Sequence, residues 1–365
     1  PLLSQKKLMD CCNELGIPGR GCQSGNSIAM NFNDLELVDG ISRNRDIRQK
    51  CDMTAILDAY ERKVFQLAVT GLRARQSRVK LYARERPFPF CSALYISCVE
   101  NGQDLMVGAS YPQLYGMFIR GTANAVNVLA AIESLVLKER SHRLDELLTG
   151  LDEGRADVME ALAAAPKWGN DEETPDRLAI ALNTRRDKAL RRAAAKVGVP
   201  PVAVCHVVRS LHYIDGRRIG ATLDGRTAYA PVGDSIGPIV GTTTGGPTAA
   251  LNSVLKLDAA RWFTGIYNLN LTLPAGPQAD RSIIRALTDA FFSDGGQELQ
   301  VNVLDAVMLR DAQRNPLKYQ SLVVRVAGLN ARFVELSAVE QEELIHRAEK
   351  AVGQTRTTAV EQNKG

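Results

Sequence analysis

The chain runs to 365 residues, 45% hydrophobic and 24% charged, the balance of a soluble globular protein with one large or two smaller domains. Lys and Arg number 45 against 41 Asp and Glu, a formal charge of +4 without a long basic run, which argues against nucleic acid as a partner. Seven cysteines at irregular spacings make neither a disulfide framework nor a zinc site, so a reducing cytoplasm is expected; with no long apolar run and no leader-like opening, no membrane partner is expected either.

The first predicted element is an amphipathic helix over Leu2 to Leu15, stopped by Gly16-Ile17-Pro18-Gly19. Because the chain enters this helix directly from Pro1, an absent N-terminal portion is expected. A polar, glycine-rich loop follows, Arg20 to Ser27, with Cys22 in it, the first candidate for chemistry. Helical spacing then runs from Met53 to Leu72, and a basic stretch to Arg86 leads into Pro87-Phe88-Pro89-Phe90. Further helices are predicted over Ala125 to Lys138, Leu144 to Gly150, Asp157 to Ala165 and Asp176 to Val197, the last a basic helix with a buried stripe. From Val202 to Pro247 the texture is of short β-rich pieces between Gly, Pro and Asp turns. Next come a helix over Ala249 to Leu257, a strand over Asn268 to Leu273, a helix over Ser282 to Phe292, a strand over Leu299 to Leu304 and a helix over Ala306 to Asn315. Ser337 and Glu340 have capping-box spacing for a helix to about Val352, and the polar tail from Gly353 to Gly365 is expected to be disordered. Alternating strands and helices predict an α/β architecture.

One stretch stands apart. Val323 to Ala327 and Arg332 to Leu336 read as two short strands, and Gly328 sits between them. A glycine there serves a turn, but it also meets the needs of a backbone radical. A radical on Cα delocalises into the neighbouring amide and carbonyl only if the centre is planar, and a side chain would crowd both that plane and an approaching sulfur.

With its neighbours, Arg325-Val326-Ala327-Gly328 resembles the glycine loop of the pyruvate formate-lyase-like glycyl radical enzymes, R-V-x-G-[YF]-x-x-x-F, with Leu329 in place of the usual aromatic residue. Also similar to that family are Pro87 to Asp104, Pro166-Lys167-Trp168-Gly169-Asn170-Asp171, Gly220 to Arg226, Gly245 to Ala249, Gly295 to Val303, and Leu309 to Tyr319 with its Asn315-Pro316-Leu317-Lys318-Tyr319 ending. Most of the chain is covered, and family members are usually about twice as long. The fold implied is the ten-stranded α/β barrel of glycyl radical enzymes and ribonucleotide reductases, two five-stranded halves with many surface helices, of which this chain would hold the C-terminal part. Implied boundaries are 1–240 for the C-terminal part of the pyruvate formate-lyase-like domain, 241–352 for the glycine radical domain and 353–365 for the tail.

The resemblance implies that Gly328 stores the radical and that a cysteine some three hundred residues upstream passes it to substrate. Cys22, on its loop, is preferred; Cys12 and Cys11 have similar separations but fall inside the predicted helix. Cys98 with Glu100 has the family's Cys-Val-Glu pattern at a position too close to Gly328, while the residue two after Cys22 is Ser24 and not the usual carboxylate base. Implied too is a lyase or dehydratase cleaving a C–C, C–O or C–N bond of a small polar molecule in anaerobic metabolism, with formate acetyltransferase activity and a non-catalytic or split-enzyme piece as the rivals. No bound cofactor is implied, because a radical S-adenosylmethionine activase with an iron–sulfur cluster would install the radical. The remaining partners implied are the substrate and either a missing half-barrel chain or a second copy. Cys205, His206 and His212 are too few to define a metal site, and Gly241 to Gly246 lacks the Lys-Ser or Lys-Thr ending of a nucleotide phosphate loop.

Overall fold

The computed structural model describes residues 28–107, 115–199, 202–206, 211–257, 267–276, 279–326 and 329–362. The helix predicted over Leu2 to Leu15 and the loop Arg20 to Ser27 lie outside them. Strand β1 (Ile28–Asn33) opens the described chain. Asn33 ends it and caps the next helix, its Oδ1 accepting from Leu35 N at 2.9 Å, so α1 (Asp34–Ser42) starts where a side-chain oxygen replaces the missing helical acceptor. After α2 (Arg45–Gln49) comes α3 (Met53–Glu85), longer than predicted. Its apolar stripe of Ile56, Leu57, Tyr60, Val64, Ala68 and Leu72 is buried as expected. The basic stretch simply continues the helix, since Arg, Lys and Gln cost only a few tenths of a kcal/mol against Ala, and Val79 still reaches the core.

Helices α4 (Pro89–Ala93) and α5 (Ile96–Asn101) precede β2 (Tyr115–Arg120) and α6 (Thr122–Ala131), which passes into a π-helical turn over Ile132–Lys138. Next are α7 (Leu144–Asp152), α8 (Ala156–Ala164), α9 (Glu173–Val197) and β3 (Val202–Cys205). The β-rich reading of Val202 to Pro247 is corrected here. Apart from β3, the described residues hold helix α10 (Leu211–Gly216), turns and two isolated bridges, His206 with Tyr267 and Thr222 with Arg226. Side chains supply what a sheet ladder would: the Arg226 guanidinium donates to the carbonyls of Ile219, Gly220, Thr227 and Ala230. The Gly/Pro/Asp punctuation is therefore that of a braced loop.

The remainder is α11 (Gly246–Leu255), β4 (Asn268–Pro274), α12 (Arg281–Ser293), β5 (Glu298–Leu304), α13 (Ala306–Arg314), β6 (Val323–Val326), β7 (Leu329–Arg332) and α14 (Ala338–Gln362). Gly296 at the entrance to β5 has no room for a side chain, because a Cβ there would lie 2.3 Å from the Phe291 ring. The predicted capping box of α14 is present, with Ser337 N donating to Glu340 Oε2 at 3.0 Å and Glu340 N to Ser337 Oγ at 3.3 Å. That helix passes Val352 and runs to Gln362, where disorder was expected.

Two compact units result, each discontinuous in sequence. The first comprises Pro1–Arg120, Ala181–Val207 and Ala259–Tyr267, and contains the parallel sheet β1-β2-β3. The second comprises Gly121–Ile180, Val208–Asp258 and Asn268–Gly365, with the parallel pair β4-β5 and the antiparallel hairpin β6-β7. Parallel pairing with intervening helices is the α/β arrangement expected. No helix among the described residues is long and apolar enough to cross a membrane.

Candidate functional site

Gly328, Cys22, Cys12 and Cys11 lie outside the described residues, but the frame that presents position 328 does not. Strands β6 and β7 pair antiparallel with Val326 opposite Leu329, the strand, short connection, strand order expected, but the second strand is Leu329–Arg332; Phe333–Glu335, expected to carry the strand on to Leu336, instead form a 3-10 turn that buries Phe333 in the core. Their backing is a hydrophobic cluster of Leu304, Leu309, Val324, Phe333, Leu344 and Ile345, to which β5, α13 and α14 all contribute. At about 2 kcal/mol for each large buried side chain, this cluster fixes the hairpin stem far more firmly than the short ladder could. The Asn315 to Tyr319 motif has a structural role beside it: Asn315 Nδ2, Lys318 Nζ and the Tyr319 hydroxyl all donate to Asp311, closing the end of α13.

A buried polar cluster faces the stem. His212 Nε2 lies 3.1 and 3.0 Å from the two carboxylate oxygens of Glu343. Arg347 Nη2 donates to Glu343 Oε1 and, at 3.3 Å, to Asp234 Oδ2, which also accepts from Asn270 Nδ2 at 2.6 Å. A cavity of about 20 Å³, lined by these residues together with Gln300, Arg325 and Val326, has space for a single water. Burial draws the His212 imidazole pKa down, but the Glu343 hydrogen bond and the Asp234 and Glu343 charges outweigh it, and the net shift is upward. Glu343 balances oppositely: burial pushes its carboxyl up, and Arg347 and His212 bring it below its usual range. The cluster escaped the sequence reading because its members come from α10, a loop, β4 and α14, with no local motif to join them.

Two of the motifs quoted above prove to be braces in this same unit. Trp168 N donates to Asn127 Oδ1 at 2.7 Å and its indole N–H to Ile236 O at 3.2 Å, while Asn170 Oδ1 accepts from Thr244 N at 2.6 Å and Gly245 N at 3.1 Å. Asp224 accepts from Asn124 Nδ2 at 2.5 Å and from the Thr222 hydroxyl at 2.6 Å.

In the first unit, Cys98 is 2% exposed, packed on Leu105, with Cys91 and Tyr95 against the pair. Burial, then the Asp104 charge, pushes its thiol pKa up. Glu100 is exposed on the same short helix, and two residues apart on a helix point to different faces. His206 belongs to a different cluster from His212: Arg186 bonds Asp34 and Asn183, approaches His206 Nε2 at 3.4 Å, and Asp34 also accepts from the Tyr60 hydroxyl at 2.5 Å. Burial and then Arg186 drive the His206 pKa well below its usual value, so its ring is neutral. No group of His, Cys, Asp and Glu suited to a metal occurs among the described residues. A groove of about 550 Å³ between α1, α2 and α3 is lined by residues such as Glu36, Leu37, Asp46, Arg62 and Lys63; without a cysteine or histidine it has no evident chemistry.

Comparison with known proteins places these features. Residues 232–334, spanning Gly328, match the glycine radical family model, and residues 8–205, spanning all the candidate cysteines, match the pyruvate formate lyase-like model. The trans-4-hydroxy-L-proline dehydratase of Clostridioides difficile is 28% identical over 303 residues, 81% of this chain and 38% of the dehydratase. The isethionate sulfite-lyase of Bilophila wadsworthia is 27% identical over 370 residues, 92% of this chain and 43% of that protein. Among solved structures, the glycerol-bound B12-independent glycerol dehydratase from Clostridium butyricum superposes with a TM-score of 0.79 at 26% identity, over 87% of this chain and 42% of that one. This chain thus spans less than half the length of each of these relatives, and carries a part of their α/β barrel fold. It belongs to the glycyl radical enzyme family of pyruvate formate lyase-like proteins.

Proposed function

We propose that the chain is the glycine-loop part of a glycyl radical lyase or dehydratase acting on a small polar organic substrate. Gly328 stores the radical and Cys22 carries it to substrate, with Cys12 and Cys11 as the alternatives. In the first transfer a hydrogen atom passes from the cysteine sulfur to the Gly328 Cα, leaving a thiyl radical. That sulfur then takes a hydrogen atom from a substrate carbon, and the substrate radical breaks its neighbouring C–C, C–O or C–N bond before the hydrogen returns. The observation that carries the reading is the family match across Gly328 together with the paired strands that end on either side of it. Relatives named as dehydratases and a sulfite-lyase favour this chemistry. Formate acetyltransferase activity is the second reading, favoured by the adjacent Cys11 and Cys12. The share of the relatives covered favours a further polypeptide portion, in the same chain or another, as part of the working enzyme; a radical S-adenosylmethionine activase in an anaerobic cytoplasm would supply the radical.

Anaerobic activation tests this. The expected spectrum is a carbon-centred doublet, since one α-hydrogen remains on the radical glycine. Gly328→Ala abolishes it, whereas Cys22→Ala keeps the signal and loses turnover. A doublet persisting in Gly328→Ala removes Gly328 from the mechanism, and full turnover in Cys22→Ala transfers the thiyl role to Cys12 or Cys11.

A further inference from the structure

The segment of the first unit from Pro87 to Val107 is built inside out. Its polar side chains Ser92 and Asp104 are half-buried: Phe88 N donates to Asp104 Oδ2 at 2.7 Å, and the Ser92 hydroxyl lies 3.0 Å from the same oxygen and accepts from Leu105 N at 2.9 Å. Cys91, Tyr95 and Cys98, spaced four and three apart, complete that inner side with Leu105. On the outer side stand Phe88, Phe90, Leu94, Ile96 and Val99, 43 to 78% exposed. Phe90 and Leu94 are four residues apart and Ile96 and Val99 three, so each pair shares a face. A single exposed apolar side chain is ordinary, but a run of large ones on one face marks a surface that another surface covers. Helices as short as α4 and α5 do not hold such a face in place by their own propensity.

Two further observations say what covers it. The first is charge. The C-terminal half of α3, which runs into this segment, and Arg86 after it expose Arg73, Arg78, Lys80, Arg84 and Arg86, against the carboxylates of Glu85 and, on α5, Glu100. Two copies meeting face to face across a two-fold axis would bring this excess of cations toward its own counterpart, whereas a partner surface with a carboxylate rim neutralises it. The second is length. The segment lies within residues 8–205, matched to the pyruvate formate lyase-like model, so its apolar face belongs to the shared fold. Yet 87% of this chain superposes on only 42% of the glycerol dehydratase, and more than half of that protein lies outside the part this chain matches.

We infer that the face formed by Phe88, Phe90, Leu94, Ile96 and Val99 seats the polypeptide portion that completes the enzyme, through an apolar surface of that portion rimmed by Asp and Glu. The inference rests on the reading above that such a portion is part of the working enzyme, and adds where on the first unit it docks and what its contacting surface is made of. Phe90 and Ile96 are the anchors, and Arg84 and Arg86 belong to the polar rim.

The test uses the full, unactivated chain and the polypeptide encoded directly upstream of it, whether as a separate gene product or as the preceding part of the same reading frame. Leu94→Cys and Val99→Cys report cover through the rate of maleimide labelling, which should fall about tenfold or more when the upstream portion is present. Leu94→Asp combined with Ile96→Asp, at exposed positions, should leave the stability of this chain unchanged. The same pair should weaken association of two separate polypeptides about a hundredfold or, in a single longer chain, restore fast labelling of Val99→Cys. Labelling that stays fast with the portion present, or the lack of any polypeptide encoded there, overturns the proposal. A dimer of this chain alone in analytical ultracentrifugation, dissolved by the Leu94→Asp and Ile96→Asp pair, also overturns it and gives the face to a second copy. A radical doublet from protein whose face stays uncovered would leave the radical reading standing, and cover without a doublet would leave the docking site standing.

Discussion

Each compact unit has a buried arginine paired with a carboxylate and lying beside a histidine, yet the two histidines are pushed in opposite directions. In the first unit Arg186 is spent on Asp34 and Asn183 and lies against His206, which stays neutral. The Arg186 and Asp34 side chains are 2% and 0% exposed, and neither lines the groove or the cavity described above. In the second unit Arg347 is shared between Asp234 and Glu343, His212 is drawn toward its charged form, and the cluster borders a cavity and the stem of the glycine hairpin. A closed cluster of this kind serves as scaffold. An open one, with a cavity at its edge, belongs beside a site.

The comparison predicts unequal costs for removing the two arginines. Arg186→Leu takes the countercharge from a fully buried carboxylate and should destabilise the first unit by about 3–5 kcal/mol, read from denaturant unfolding. Arg347→Leu leaves Asp234 with Asn270 and Glu343 with His212, so its loss should be near 2 kcal/mol, that of hydrogen bonds to charged groups. Equal losses would erase the distinction between scaffold and site.

The histidines give a subtler test in the pH dependence of stability. The folded pKa of His212 is raised, so its contribution is complete below the unfolded value near 6.5 and is lost as pH rises through the folded value. His206 has a depressed folded pKa, so the unfolded chain binds the extra proton and stability falls as pH drops below about 6.5. Accordingly, His212→Gln should flatten the stability profile above pH ~6.5, and His206→Gln should flatten it below. Matching slopes in the two variants would contradict the opposite assignments.

Much of this frame was legible in the residues. The hydrophobic spacing of α3, α6, α9 and α13, the capping box at Ser337 and the strand before Gly328 all follow from short-range pattern, whereas the strand after it lies at Leu329–Arg332 and not at the expected Arg332 to Leu336. What failed was also local in origin. The turn residues between Val202 and Pro247 look like strand punctuation, and only the folded chain reveals that Arg226 gathers those carbonyls. Similarly, Arg186 sits in the buried stripe of a helix whose basic residues suggested solvent, because its partner Asp34 is far away in sequence. His212 gave no signal of its role, since Glu343 and Asp234 reach it from separate elements.

The central claim, that the hairpin exists to present a radical glycine, is tested most directly by oxygen. A glycyl radical combines with dioxygen to a peroxyl species that breaks the backbone at that residue, so brief air exposure after anaerobic activation should cut the chain at Gly328 and release a fragment of residues 329–365. Chain that has not been activated should remain whole, as should Gly328→Ala. Mass spectrometry of the exposed protein decides between outcomes: cleavage confined to Gly328 and dependent on activation is the predicted result, and cleavage elsewhere, or irrespective of activation, would contradict it.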